Sequence, residues 1–113
     1  MTTTVNPNTE TTVRVGDLAT LIFPEDQYPY AVATVSPQGH KITLLAIATD
    51  DVKATRHDGP FPILDARWTP GDEYTTTPGS EVTAYRDAHG RYRISGQLPL
   101  LIGTARFYRN YKY

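Results

Sequence analysis

From Thr11 onward, β-branched and aromatic residues occur in short runs that Gly, Pro or Asp interrupts. An interruption every eight to twelve positions or so is typical of short strands joined by tight turns. No long segment repeats its apolar residues at the helical period. The pattern therefore predicts an all-β domain over residues 11–113, either a small SH3-like barrel or a β-sandwich.

Strands and loops can be assigned along this domain. The predicted strands cover Val13–Val15, Leu18–Phe23, Tyr30–Val35, Lys41–Ala48, Ile63–Thr69, Val82–Tyr85 and Tyr92–Ile94. Gly16 and Asp17 form the first predicted turn, and Ser36–His40 forms a hairpin turn. Segments 24–29, 49–62 and 70–80 are predicted loops, because each combines proline with acidic or other polar residues. The end of the chain, Leu98–Tyr113, begins apolar and finishes aromatic and basic.

The amino-terminal segment has a different composition. Residues 1–10 are rich in Thr and Asn and almost lack apolar side chains. Such a segment buries too little apolar surface to offset the entropy lost on ordering. We therefore expect a disordered tail over residues 1–10, followed by a single β domain.

Charge and cysteine content narrow the functional classes. The 113 residues carry a net charge of -1, which argues against a surface devoted entirely to nucleic acid. The absence of cysteine excludes a disulfide framework and thiolate metal ligands. No apolar run approaches the roughly 20 residues of a membrane helix, and no signal peptide is evident. We expect an intracellular protein with no membrane partner.

The basic residues are concentrated near the carboxyl end. Between Glu81 and Tyr113 there are six basic residues and only two acidic ones. In an extended strand, Arg106, Tyr108, Asn110 and Lys112 share one face, and Phe107, Arg109, Tyr111 and Tyr113 share the other. Arginine and tyrosine together suit phosphates and stacked bases, and they also suit protein interfaces. The alternative is a closing strand whose tyrosines complete the core and whose arginines are simply hydrated.

Other candidate residues have similar alternatives. The segment from Asp26 to Tyr30 places Tyr28 and Tyr30 around a proline, either at the rim of a pocket or as a cap on the core. Trp68 beside Arg67 fits a core residue better than a cation–π pair. The histidines lack metal-ligand spacing, and the serines lack a nucleophile motif. The acidic pairs at 50–51 and 72–73 keep a hydrolase as an alternative, but we expect neither a metal nor a cofactor.

Two segments resemble a widespread set of small bacteriophage-encoded proteins. The segment EDQYPYAVATVSPQGHKI is similar to their recurring pattern TDRxPYTVVEVSxSGKxI, and GTARFYRNYKY is similar to their ending GxRREYYDYSF. Gln27 stands where these proteins usually have Arg, Arg109 stands where an aromatic residue is common, and residues 50–80 do not align. The opening VGD turn and following hairpin also resemble those of SH3-like and KOW-type barrels. The resemblance implies a phage accessory protein that acts in the host cytoplasm.

The combined hypothesis is a phage-encoded, anti-defence type of binding protein. It would sequester a small anionic, nucleotide-derived ligand without cleaving it. We expect a homo-oligomer, because a small barrel interior is too narrow for such a ligand. The alternatives are an SH3-like adaptor for a host protein or nucleic acid, and a virion or assembly component. The predicted ligand-binding residues are Arg106, Tyr108, Arg109, Tyr111, Tyr113, Tyr28, Tyr30, Asp26 and Arg93.

Overall fold

The computed structural model describes residues 13–111, and this range is all β, with no helix. Nine strands follow one another along the chain. They are β1 (Leu18–Ile22), β2 (Gln27–Val35), β3 (Lys41–Ala46), β4 (Arg56–Asp58), β5 (Phe61–Trp68), β6 (Val82–Arg86), β7 (Tyr92–Ile94), β8 (Leu98–Ile102) and β9 (Ala105–Asn110). Every pairing between them is antiparallel.

Six of the strands form a closed barrel. Their order is β1-β8-β7-β6-β3-β2, and the additional pairing of β1 with β2 closes the ring. Leu21 lies opposite Tyr28 across the closing pair and opposite Leu100 across the pair with β8. The predicted all-β barrel is thus confirmed, and a two-sheet sandwich does not describe this closed ring.

The barrel interior is a packed apolar core. Its fully buried side chains include Ala19, Ile42, Leu44 and Ala84, which come from β1, β3 and β6. Alternate residues of each strand point inward, so a period of two places one apolar set in this core. Because the interior is filled by these side chains, a ligand has to bind outside it.

Strands β9, β5 and β4 form an extension beside the barrel. Strand β5 pairs with β9 from Ile63 to Trp68, and β4 pairs with the start of β5. The barrel contributes a single paired position, Gln27 of β2 opposite Tyr108 of β9. A second apolar cluster packs under this extension; it contains Leu18, Ala31, Ile47 and Ala105, with Trp68 against it. Trp68 is therefore a packing residue, as predicted.

Several predicted boundaries are wrong. Val13–Val15 is not a strand, because Asp17 N–H donates to the Arg14 carbonyl and closes a turn there. Strand β2 begins at Gln27 and contains Pro29, which was predicted to lie in a loop. Residue 29 pairs with Thr20 of β1 on one edge of β2. Proline is tolerated because its nitrogen faces the other edge, where residue 29 lies between the pairing with β9 at Gln27 and the pairing with β3 from Tyr30.

The long predicted connection is also partly wrong. Residues 49–62 contain β4 and the beginning of β5. Arg56 and His57 are polar, so the segment has no apolar alternation, and Pro62 cannot donate a backbone hydrogen bond. The backbone of the segment nevertheless pairs. The predicted strands Val82–Tyr85 and Tyr92–Ile94 are confirmed, and they pair as the hairpin of β6 and β7. The expected disordered tail, residues 1–10, lies outside the described residues.

Candidate functional site

Strand β9 has different side chains on its two sides, as the alternation predicts. Its register with β5 places Arg106 opposite Arg67 and Tyr108 opposite Asp65. Residues that face each other across an antiparallel pair project from the same side of the sheet. Arg56 of β4 joins the same side, since it lies opposite Ile63. We call Arg56, Asp65, Arg67, Arg106 and Tyr108 the outer face.

A bidentate ion pair organises the outer face. Arg106 donates from Nε to Asp65 Oδ1 at 3.0 Å and from an Nη to Asp65 Oδ2 at 2.9 Å. Its guanidinium carbon lies 5.0 Å from the centre of the Tyr108 ring, within cation–π range. Both partners of the ion pair are about three-quarters buried. The guanidinium plane is therefore fixed on two sides before any ligand arrives.

The cations on this face favour the ionised form of the Asp65 carboxyl group. The pKa of Asp65 is lowered, first by the hydrogen bonds from Arg106 and further by the positive charges of Arg106, Arg67 and Arg56, against the opposing effect of burial. Arg67 and Arg56 are exposed. Among the side chains that the structure describes on this face, three guanidinium groups share one carboxylate. Arg67 also lies directly opposite Arg106, an arrangement of like charges that destabilises a sheet.

The other side of β9 forms an aromatic cluster at one end of the barrel. Its members are Phe23, Asp26, Tyr28, Phe107, Arg109 and Tyr111, which we call the mouth cluster. Tyr28 contacts Phe107 with ring centres 6.0 Å apart, and its hydroxyl donates to Asp26 Oδ2 at 3.2 Å. Burial and the nearby Asp26 raise the pKa of Tyr28, so the phenol stays a proton donor. The exposed Arg109 lies over the Tyr111 ring, 4.8 Å from its centre.

The predicted site residues thus fall into separate groups. Arg106 and Tyr108 lie on the outer face, whereas Asp26, Tyr28, Arg109 and Tyr111 lie in the mouth cluster. Two further residues lie elsewhere: Tyr30 packs against the barrel core, and Arg93 of β7 forms a 3.0 Å ion pair with Asp87. Tyr113 lies outside the described residues.

Sequence reasoning missed three residues of the outer face. Asp65 and Arg67 alternate within the predicted strand ILDARWT, so their shared face was readable, but their partner strand was not. Arg56 belongs to a segment predicted as a loop. Pairing β5 with β9 brings Asp65 to Arg106 from 41 positions away, and strand order is not encoded in local pattern.

A polar recess adjoins the outer face. Its volume is about 580 Å³, and it lies between Asp65, Ala66 and Trp68 of β5 and the loops that carry Lys53 and Tyr74. Asp51 and Glu73 also line the recess, so its walls carry charges of both signs. The recess supplies concavity beside Asp65, the carboxylate that Arg106 holds.

Comparisons with known proteins add no functional assignment. No protein-family model, curated protein or solved structure matches this chain. Within residues 13–111, no group of three or more His, Cys, Asp or Glu residues is placed to hold a metal ion. The same range contains no helix that is long and apolar enough to cross a membrane.

Proposed function

We propose that this chain is a binding protein that recognises a phosphate-bearing anion through its outer face and leaves it intact. One observation carries the proposal: the strand register places Arg56 and Arg67 on the same sheet face as the Arg106–Asp65 ion pair, where Asp65 forms an ion pair with Arg106 alone. Two of these guanidinium groups are exposed, so an arriving anion can reach them. Binding such an anion would neutralise the charges of Arg67 and Arg56, with which no described carboxylate forms an ion pair.

Guanidinium groups suit phosphate for geometric reasons. Each presents a planar fork of N–H donors that matches two oxygens of a phosphate, and charge assistance makes these hydrogen bonds strong. Arg106 is already oriented by Asp65 and Tyr108, so it loses little side-chain entropy on binding. Arg67 supplies the donors that no described acidic group occupies.

The ligand we propose is small and nucleotide-derived, and the chain acts as a phage-encoded anti-defence sponge in the host cytoplasm. The tyrosine rings beside arginines favour a ligand with both a base and a phosphate, because bases stack on such rings. The likeness to small phage proteins supports the biological setting. The outer face of one chain is open, so enclosing a small ligand calls for a second protomer, consistent with a homo-oligomer.

An extended polyanion is the second candidate ligand. Arg56, Arg67 and Arg106 come from three neighbouring strands, β4, β5 and β9. Strands lie roughly 4.8 Å apart, so these cations span about 10 Å across the sheet. An open row of cations of this width favours contact with successive phosphates of a single-stranded nucleic acid. Salt separates the two ligands, because affinity for nucleic acid falls steeply with ionic strength.

The test is a binding panel with matched arginine variants. ADP-ribose, cyclic dinucleotides and a short single-stranded DNA are titrated into wild-type protein, and binding is read as a rise in Tm. We expect R67A and R56A each to weaken binding about tenfold, which corresponds to about 1.4 kcal/mol. R14A is the control, since it removes the same charge from an exposed turn of the barrel.

Two outcomes contradict the proposal. One is a panel in which no compound changes the Tm. The other is an equal loss of binding in R14A and R67A, which would show only general charge attraction. After a positive result, heating the complex and identifying the released compound by mass spectrometry distinguishes sequestration from hydrolysis.

A further inference from the structure

A groove lies on the barrel, away from both sides of β9. It follows β8 and is bordered by β1, β7 and the turn at Pro70 and Gly71. Its volume is about 700 Å³, within the range of roughly 300–1,000 Å³ that is common for small-molecule sites. None of the residues of the outer face or the mouth cluster lines it.

The walls of this groove are mainly apolar. Ile22, Pro99, Leu101 and Ile102 contribute side chains to it, and Leu101 is 54% exposed. Adjacent apolar side chains that remain in water favour an apolar partner, because covering them gains about 25 cal/mol per Å². The groove therefore suits the hydrocarbon part of a ligand.

The charged residues of the groove differ in their hydrogen-bond and ion-pair partners. Asp17 accepts a 2.8 Å hydrogen bond from the Arg14 N–H, and Arg93 is paired with Asp87. Arg91 is exposed, and no acidic side chain of the described residues forms an ion pair with it. Of the two cations in the groove, Arg91 is therefore the one whose charge is not neutralised by a described carboxylate.

The backbone of Arg91 is held firmly. Its N–H donates to Asp87 Oδ1 at 3.0 Å, and its carbonyl accepts from the Asp87 N–H at 2.8 Å. The tight turn between β6 and β7 thus fixes the backbone position from which the Arg91 side chain extends, at one border of the apolar walls. A ligand pays little ordering cost at a site that is fixed in advance.

We propose that this groove binds a small amphipathic anion, with its hydrocarbon body on Leu101, Ile22 and Pro99 and its single acidic group on Arg91. This site is independent of the outer face. A polyanion is a poor fit, because the groove offers one unneutralised cation and mostly apolar walls. The bounded volume of the groove and its single unneutralised cation favour a free fatty acid, which has one carboxylate.

The experiment compares decanoate with decanol, its uncharged analogue, by calorimetric titration below the micelle concentration. Decanoate is expected to bind one molecule per chain and at least about tenfold more tightly than decanol. In R91Q the two compounds should bind equally. In L101D both should bind weakly, and the Tm of L101D should stay near that of wild type because Leu101 is exposed. R67Q is the charge-matched control on the outer face and should bind decanoate normally.

Each contrary result has a definite meaning. Equal binding of decanoate and decanol to wild type, or an equal loss in R67Q and R91Q, overturns the assignment to Arg91. Binding to anionic vesicles without binding to decanoate shows a membrane surface site and overturns a small-ligand groove. Dissociation of a wild-type dimer by L101D in sedimentation shows that a second copy covers the groove, which also overturns it. Because the nucleotide panel tests the outer face separately, this proposal can fail while the proposed function stands.

Discussion

The barrel and the extension are built from the same antiparallel pairing but use it differently. In the barrel every strand has a neighbour on both sides, and the interior contains side chains such as Ile42 and Leu44 that are fully buried. In the extension the sheet ends at β4, a three-residue strand that begins with Arg56. Polar and charged residues dominate its outer face. The difference teaches that the buried core and the outer face, which is the proposed phosphate site, occupy separate regions of this chain.

The seam between the two regions is narrow. One paired position joins β2 to β9, the Tyr28 ring contacts Phe107, and one small apolar cluster around Ala105 and Trp68 packs beneath the extension. Changes on the outer face should therefore have little effect on the barrel core. Substitutions in each region test whether the outer face and the barrel core are independent.

Truncating the barrel core should have the largest effect. Leu44→Ala removes three carbons from a side chain with no exposed surface, and the resulting cavity should lower the free energy of unfolding by about 2–5 kcal/mol. Chemical denaturation monitored by far-UV circular dichroism measures the change.

Leu101→Ala is the matched control for this truncation. Leu101 is 54% exposed on the outside of the barrel, so the same change should cost only about 0.5 kcal/mol. Similar losses in the two variants would show that the barrel interior is not the main source of stability, and the contrast between the regions would fail.

Removing the central carboxylate of the outer face should have an intermediate effect. Asp65→Asn leaves three guanidinium groups without their shared counter-ion, so we expect a loss of about 1–2 kcal/mol in the free energy of unfolding. A double-mutant cycle with Arg106→Gln isolates the pair and should give a coupling energy of about 1 kcal/mol. Asp50→Asn, at an exposed position, serves as control. A coupling energy near zero would mean that the pair does not organise the outer face.

The barrel was largely predictable from the sequence because its signals are local. The hairpin between β2 and β3 has Gly39 at a positive φ of 75°, where glycine is the least strained residue. The hydroxyl of Tyr92 donates to the Gly39 carbonyl, which ties this turn to β7. Turn residues and alternating apolar positions predict such strands without knowledge of their partners.

The candidate site was only half predictable, because it depends on which strands pair. The cations of β9 and their alternation could be seen in the sequence, and the two faces of β9 are confirmed by its ring contacts. The neighbours could not be seen, since Asp65 and Arg67 reach β9 only through the register of β5. Tyr30 was a candidate because it follows a proline in the segment from Asp26, and Arg93 because it belongs to the basic carboxyl-terminal third; the structure places neither beside Arg106.

Acid should produce the smallest effect, and it acts on one carboxylate in each region, Asp87 of the barrel and Asp65 of the extension. Hydrogen bonds, first from the Arg91 N–H and then from Arg93, lower the pKa of Asp87 to about 2. A lowered pKa in the folded state adds stability above the unfolded value of about 3.9, and that stability is lost as the pH falls toward 2. The Tm difference between wild type and D87N should therefore stay constant above about pH 5 and shrink below about pH 4. The difference for D65N should shrink in the same direction.

Salt sharpens this last comparison. Asp87 of the barrel accepts hydrogen bonds from the N–H groups of His89 and Arg91, whereas Asp65 of the extension depends on arginine side chains. Ionic screening weakens the attraction between partly exposed charges more than it weakens backbone hydrogen bonds. At about 0.5 M NaCl we expect the D65N difference in Tm to fall by a larger fraction than the D87N difference. Equal responses would mean that both carboxylates are held mainly by charge, and that turn geometry adds nothing to the stability of the barrel hairpin.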